Sequence, residues 1–143
     1  MTWEKLIEHA VEEGAYIPIF HPKALNELEA MLKSDRGKGN AVVAAIIKLC
    51  RNPLPRDMGG AGNRLGKRKG SGNLKPLLCA KLKGLGIRIV YALTKQEPGE
   101  DAHEPGKTVT ILAIGTREDM KAYIEASRRK SDVSPEWPRE WRD

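Results

Sequence analysis

LKPLLCAKLKGLGIRIVYAL, residues 74–93, is the stretch that decides the fold. Two alternating segments, 74–82 and 86–93, flank the short glycine-bearing turn Lys83-Gly84-Leu85-Gly86. That pattern predicts an antiparallel β-hairpin. In the second segment Ile87, Ile89, Tyr91 and Leu93 share one face, opposite Arg88, Val90 and Ala92. In the first, Cys79, Lys81 and Lys83 share one face and Leu78, Ala80 and Leu82 the other. The sheet must bury one face against helices, and Leu78, Leu82, Ile87, Ile89 and Tyr91 are the residues to bury. Lys81 and Arg88 then point together from the opposite face. Like charges on neighbouring strands cost a few tenths of a kcal/mol or more, so a compensating anion such as a phosphate is expected there.

Downstream, residues 95–107 (KQEPGEDAHEPGK) are acidic and proline-rich and read as an exposed loop. TVTILAIG, 108–115, is a third strand. Thr116 with Asp119 resembles a capping box opening a helix over 117–129, with Met120, Tyr123, Ile124 and Ser127 on one face. Arg117 falls at the first position of that helix, where the macrodipole disfavours a cation by roughly 0.3–1 kcal/mol. Two readings stand: Arg117 pairs with Glu118 or a loop acid, or it reaches the face of Lys81 and Arg88. Tyr123 is in the same way either a half-buried helix aromatic or part of a site.

Upstream, WEKLIEHAVEE (3–13) spaces Trp3, Leu6, Ile7, Ala10 and Val11 as an amphipathic helix ending at Gly14. YIPIF (16–20) reads as a strand that Pro18 restricts to an edge. Pro22 opens a helix with Leu25, Leu28, Met31 and Leu32 inward. SDRGKGN breaks it, and AVVAAIIKLCRN continues as the second arm of an αα-hairpin. Residues 56–73 carry six glycines and five bases and read as a long surface loop. The order α-β-α-α-β-β-β-α describes an α+β domain with a mainly antiparallel small sheet, an N-terminal helical hairpin and a C-terminal helix. Residues 1–15 form an N-terminal extension, 16–130 the domain, and 131–143 a loosely ordered tail carrying Trp137 and Trp141.

The chain has 143 residues and a net charge of +6, enough for one hydrophobic core. The charge is unevenly spread. Residues 1–35 hold seven acids and three bases. Between Asp57 and Glu97 there is no acid, and nine bases fall there: Arg64, Lys67, Arg68, Lys69, Lys75, Lys81, Lys83, Arg88 and Lys95. A one-sign field of this kind suits a solvated face or a polyanion such as nucleic acid. The loop lacks the spacing of a nucleotide-binding P-loop. No run reaches the roughly 18 apolar residues of a membrane span, and the acidic N-terminus is unlike a secretory signal, so a cytoplasmic protein is expected. Cys50 and Cys79 are expected to be free thiols. With His9, His21 and His103 scattered, neither a metal site nor a cofactor is expected.

LCAKLKGLGIRIVYAL followed by VTILAIGTREDMKAYIEASRR resembles the C-terminal half of RelE-family toxins of bacterial toxin–antitoxin modules. In that family a strand ends in Lys-Leu, a turn leads to Gly-aromatic-Arg-x-x-Tyr, a last strand ends in glycine, and Arg-Glu precedes a helix bearing a tyrosine. The resemblance implies a metal-independent, ribosome-dependent mRNA endonuclease in which an mRNA 2′-OH attacks the adjacent phosphate. It places Lys81 and Arg88 on the phosphorane charge, Arg117 there or on the leaving group, and Tyr123 at the 2′-OH. Arg64, Lys67, Arg68, Lys69, Lys75 and Lys83 would bind RNA. It also implies a cognate antitoxin and the ribosome as partners, and leaves the oligomeric state open. One departure is that a second lysine of the family strand falls on Cys79. The alternatives are a gyrase-inhibiting toxin of the ParE kind and a catalytically silent nucleic-acid-binding domain.

Overall fold

A computed structural model describes residues 2–12, 16–68, 72–74, 77–94, 108–116 and 121–132, with 67, 68, 72, 73 and 94 as backbone alone. The elements are α1 (Trp3–Glu12), β1 (Ile17–Phe20), α2 (Pro22–Ser34), α3 (Arg36–Arg51), β2 (Asn63–Arg64), β3 (Lys67–Arg68), β4 (Gly72–Asn73), β5 (Leu78–Leu82), β6 (Ile87–Thr94), β7 (Thr108–Thr116) and α4 (Lys121–Arg129). Five strands form one sheet in the order β1-β7-β6-β5-β2, while β3 and β4 pair separately. Only β1 and β7 run parallel in the large sheet; the other pairs are antiparallel. The α+β architecture and the edge position of the Pro18 strand are as the sequence predicts.

The central hairpin has the expected register. Leu78 faces Tyr91, Ala80 faces Ile89, Lys81 faces Arg88 and Leu82 faces Ile87. The turn is a single 3₁₀ turn over Lys83–Leu85, closed by Gly86 at φ 66°. That backbone conformation is readily available to glycine and strained for most other residues.

The sheet is covered on both faces. Helix α3 lies against β5, and its Ala45 and Leu49 border a cleft with Ala80 and Leu82. Helix α4 lies on the other face, where Tyr123 meets Cys79 and a methyl group on Gly115 would touch Ala122. Cys79, Val90 and Ala113 of that second face are fully buried. The sequence reading of one buried face and one open face is therefore corrected. The helix it placed at the C-terminus spends its apolar side on the Arg88 face. Its buried residues are Ala122, Tyr123, Ala126 and Arg129, not the stripe through Ile124 and Ser127, which are only half-buried.

Two further differences have local causes. Helix α3 starts at Arg36, so Gly37, Lys38, Gly39 and Asn40 are helical and not a linker. Asp35 alone separates α2 from α3, and its carboxylate accepts the Lys38 N–H at 3.2 Å as an N-cap. Gly39 is needed for close packing: a Cβ there would lie 2.8 Å from the Leu32 Cα. Residues 56–64 are not a free loop. The buried Tyr91 hydroxyl donates to the Pro53 carbonyl at 2.7 Å, Gly62 packs against that hydroxyl, and β2 pairs with β5.

The edge of β7 beyond β1 is closed by side chains. Strand β1 stops opposite Ile111, and a bulge lies between Val90 and Tyr91 of β6 opposite this part of β7. The Glu27 carboxylate of α2 accepts the Ile114 N–H at 3.1 Å. Arg129 of α4 donates to the Leu112 carbonyl at 2.8 Å and to Glu27 at 2.8 Å. An unpaired strand edge is thus satisfied by an ion pair joining the two helical layers. His21 and Asp132 add a second tie between these ends, at 2.8 Å.

Candidate functional site

Lys81 and Arg88 are direct cross-strand partners. Residues so placed have Cβ atoms about 4.5–5.5 Å apart. On its other side Arg88 faces Gly115 of β7, which adds no side chain beside it. Lys81 is exposed. Arg88 is only 6% exposed, and its Nη1 donates to the Ile87 carbonyl at 3.1 Å. Among the described residues no carboxylate pairs with it. A guanidinium buried beside a lysine without a counter-ion is an unusual arrangement, because buried charges are normally paired.

Tyr123 comes to the same face from α4. Its hydroxyl is 3.8 Å from the Cys79 thiol, and Cys79 precedes Lys81 by two residues, about 7 Å along the strand. Tyr123 is 6% exposed, so its ring is largely packing. Cys79 is fully buried and its thiol donates to the Ala80 carbonyl at 3.5 Å. Both cysteines are free thiols. Cys79 thus puts a buried thiol on this face, two residues before Lys81.

Of the other basic residues that the sequence singles out, only Arg64 and Lys83 have described side chains. Arg64 is held by Asp57 in a two-pronged pair, Nε to Oδ1 at 3.0 Å and Nη2 to Oδ2 at 2.9 Å. Lys83 is exposed in the hairpin turn. The backbone of Lys67 and Arg68 forms the small two-stranded sheet with Asn73 and Gly72. Lys69, Lys75 and Arg117 lie outside the described residues, as does the proposed Thr116 cap with Asp119.

A basic residue that the sequence reading passed over is Lys48 of α3. With Lys81 it flanks a small cleft between α3 and the end of β5. Its helical spacing shows only a solvated residue at the helix surface; the fold brings it beside the free edge of β5, on the side of the sheet away from Arg88. Among the described residues no group of acids, histidines and cysteines is arranged to hold a metal ion, and no helix is long and apolar enough to cross a membrane.

Among solved structures the chain is similar to a free-state arginine-to-alanine double mutant of the E. coli toxin RelE, at 20% identity and a TM-score of 0.52, covering 80% of this chain and 97% of that one. The fold is that of RelE. At this identity the likeness establishes the architecture, and this chain adds residues beyond nearly the whole of the RelE chain. No protein-family model matches the sequence, and no curated protein matches it. Within the RelE fold, Lys81, Arg88 and Tyr123 are brought to one face of the β5–β6 hairpin and α4.

Proposed function

We propose that this protein is the toxin of a toxin–antitoxin pair and that it cleaves mRNA on the ribosome without a metal. The observation that carries the reading is the buried Arg88, with no carboxylate partner among the described residues, beside the exposed Lys81. Fixed cations aimed at developing negative charge are usually the largest electrostatic contribution to catalysis. A phosphate at this pair would supply the missing counter-charge. As the 2′-OH attacks the adjacent phosphorus, charge grows on the phosphorane oxygens, and Lys81 and Arg88 would stabilise it there. Arg117 would act on the same charge or protonate the leaving 5′-oxygen, and Tyr123 would orient the 2′-OH. Lys83 and the basic residues Lys67, Arg68, Lys69 and Lys75 would meet flanking phosphates, with Arg64 contributing less while Asp57 holds it. A cognate antitoxin would cover the same basic surface.

A second reading is favoured by one contact. The Tyr123 hydroxyl sits against the Cys79 thiol in a buried position, where it is poorly presented to a substrate. That suits a toxin acting by binding, such as a gyrase inhibitor, or a silent nucleic-acid-binding domain.

Expression in a bacterial host without a partner, with growth followed and transcript 5′ ends mapped, separates these. The nuclease reading requires arrest with new ends inside translated frames, lost in Lys81→Ala and Arg88→Ala. Arrest without new ends would move the reading to a binding toxin. No arrest from soluble, folded protein would leave the silent domain.

A further inference from the structure

We infer that the cleft between α3 and the outer edge of β5 is a subsite for one unpaired RNA base, belonging to the nucleotide next to the phosphate at Lys81 and Arg88. The inference rests on the reading above that this pair meets an RNA phosphate.

The cleft exists because pairing between β2 and β5 stops short. Strand β2 covers Leu78 and Cys79 only, so the flank of β5 from Ala80 to Leu82 is left to α3. The walls are Ala45, Leu49, Ala80 and Leu82, with Ala61 at the rim. The volume is about 240 Å3, below the range of roughly 300–1,000 Å3 typical of small-molecule sites. It is large enough for one flat ring system. Three of the lining residues are alanines, and short side chains leave wall area against which an unstacked base can lie.

The polar groups of the cleft point to the same occupant. Among the described residues Lys48 and Lys81 are the charged ones lining it, and no acid does. A base in the cleft would carry its two phosphates outward, one toward Lys48 and the other around the free edge of β5 toward Lys81, whose side chain leaves the opposite face of the strand. Lysine only donates hydrogen bonds, so the described lining offers no side-chain acceptor with which to read a base edge. The base would be held by apolar contact and by its phosphates, which makes the subsite tolerant of base identity. Single-stranded nucleic acid is commonly held this way, by a face contact for the base and cations for the backbone.

The test uses a 2′-O-methyl RNA trinucleotide, which cannot undergo 2′-OH attack, titrated into the full chain and followed by NMR and by fluorescence anisotropy. Saturable shifts at Ala61, Ala80, Lys48 and Lys81 are expected. Ala61→Trp fills the cleft from an exposed position, and it should weaken binding at least tenfold while leaving the urea midpoint unchanged. A trinucleotide with an abasic central sugar should be weakened to the same degree. Lys48→Ala should lower the slope of log affinity against log salt by about 0.7, the value for one single-strand phosphate contact. The inference is overturned if the abasic trimer and Ala61→Trp both bind like the parent pair. It is also overturned if shifts fall on Lys83 and the hairpin turn while the cleft stays silent, as they would if the cleft takes a peptide side chain from a protein partner. Slot binding by a wild-type protein that cleaves no transcript would sink the nuclease reading and keep the subsite. Full cleavage by Ala61→Trp, with the abasic trimer unimpaired, would do the reverse.

Discussion

Lys81 and Arg88 stand directly opposite each other on β5 and β6, yet the lysine is exposed and the arginine is sealed to 6% exposure. The pair is unfavourable for folding in two ways. Like charges face each other across a strand pair, and one of them is buried without an acid among the described residues. A stability optimum would not place an arginine there. Burying a charge without a partner is costly, and an apolar side chain of similar length removes that cost. Arg88→Met should therefore raise the urea midpoint, by about 1 kcal/mol in stability with an unchanged m-value, and the proposed function requires that it abolish RNA binding and toxicity together. A destabilised Arg88→Met would mean that the arginine is a structural element and that the anion site lies elsewhere.

Gly39 gives a prediction in which two local rules oppose each other. It sits in α3, where alanine is favoured over glycine by about 1 kcal/mol. A Cβ there would meet the Leu32 backbone at 2.8 Å, and backbone cannot move aside cheaply. The clash should win. Gly39→Ala is expected to lower stability by about 1–3 kcal/mol, the cost typical of overpacking, read as a lower midpoint in urea. A gain would mean that α2 and α3 can separate freely at this corner.

The same glycine explains part of what the sequence concealed. In a linear reading Gly37 and Gly39 look like breakers, because nothing local reveals that a second helix presses on them. The central hairpin was legible because a two-residue period and a glycine turn are local signals; the same signals placed Lys81 opposite Arg88. The covering of that face by α4 was not legible, since the α4 stripe is short and is shared with Arg129, a residue that reads as a solvated end-of-helix charge. Its partner Glu27 is 102 positions away, and no periodicity links them. The short strand β2 was hidden for a similar reason: Gly-rich sequence disguised a segment pinned from outside by Tyr91. Lys48 comes beside β5 only through the packing of α3, which no local pattern announces.

Stability should fall at alkaline pH, for a reason set by the core. Burial pushes the Cys50 thiol up from 9.0 to about 12. The Tyr91 phenol is pushed up as well, first by burial and then by the neighbouring Cys79 and Cys50 thiols. The unfolded chain ionises Cys50 from about pH 9, whereas the folded chain keeps it neutral, so the unfolded state gains. The contribution is fully present below pH 9 and is lost as pH rises toward 12. Between pH 8 and 10.5 under reducing conditions, the wild type should lose about 2 kcal/mol more than Cys50→Ala, at about 1.4 kcal/mol for each pH unit above 9. Parallel pH profiles for the two proteins would contradict this.

The Glu27–Arg129 pair closes the free edge of β7, so its two members should not act independently. Burial alone would lower the Arg129 pKa, but the hydrogen bond and charge of Glu27, followed by those of Glu125, outweigh it and hold the guanidinium above its ordinary range. Arg129 therefore stays charged at any working pH, and removing Glu27 leaves that charge buried at 5% exposure with Glu125 as its remaining carboxylate partner among the described residues. The Ile114 N–H loses its acceptor in the same step. Glu27→Ala is expected to cost about 3 kcal/mol, the lower end for breaking a buried pair, because Glu125 remains. Arg129→Met leaves Glu27 able to reach water, with the Leu112 carbonyl open, and should cost about 1–3 kcal/mol. The double variant should be more stable than the sum of the two losses predicts, by about 1–3 kcal/mol, the coupling expected of residues in one hydrogen-bonded network. Urea unfolding of the four proteins measures that coupling directly. Strict additivity would mean that α2 and α4 are held against the sheet by their apolar contacts alone, and that the ion pair only decorates an edge that water already satisfies.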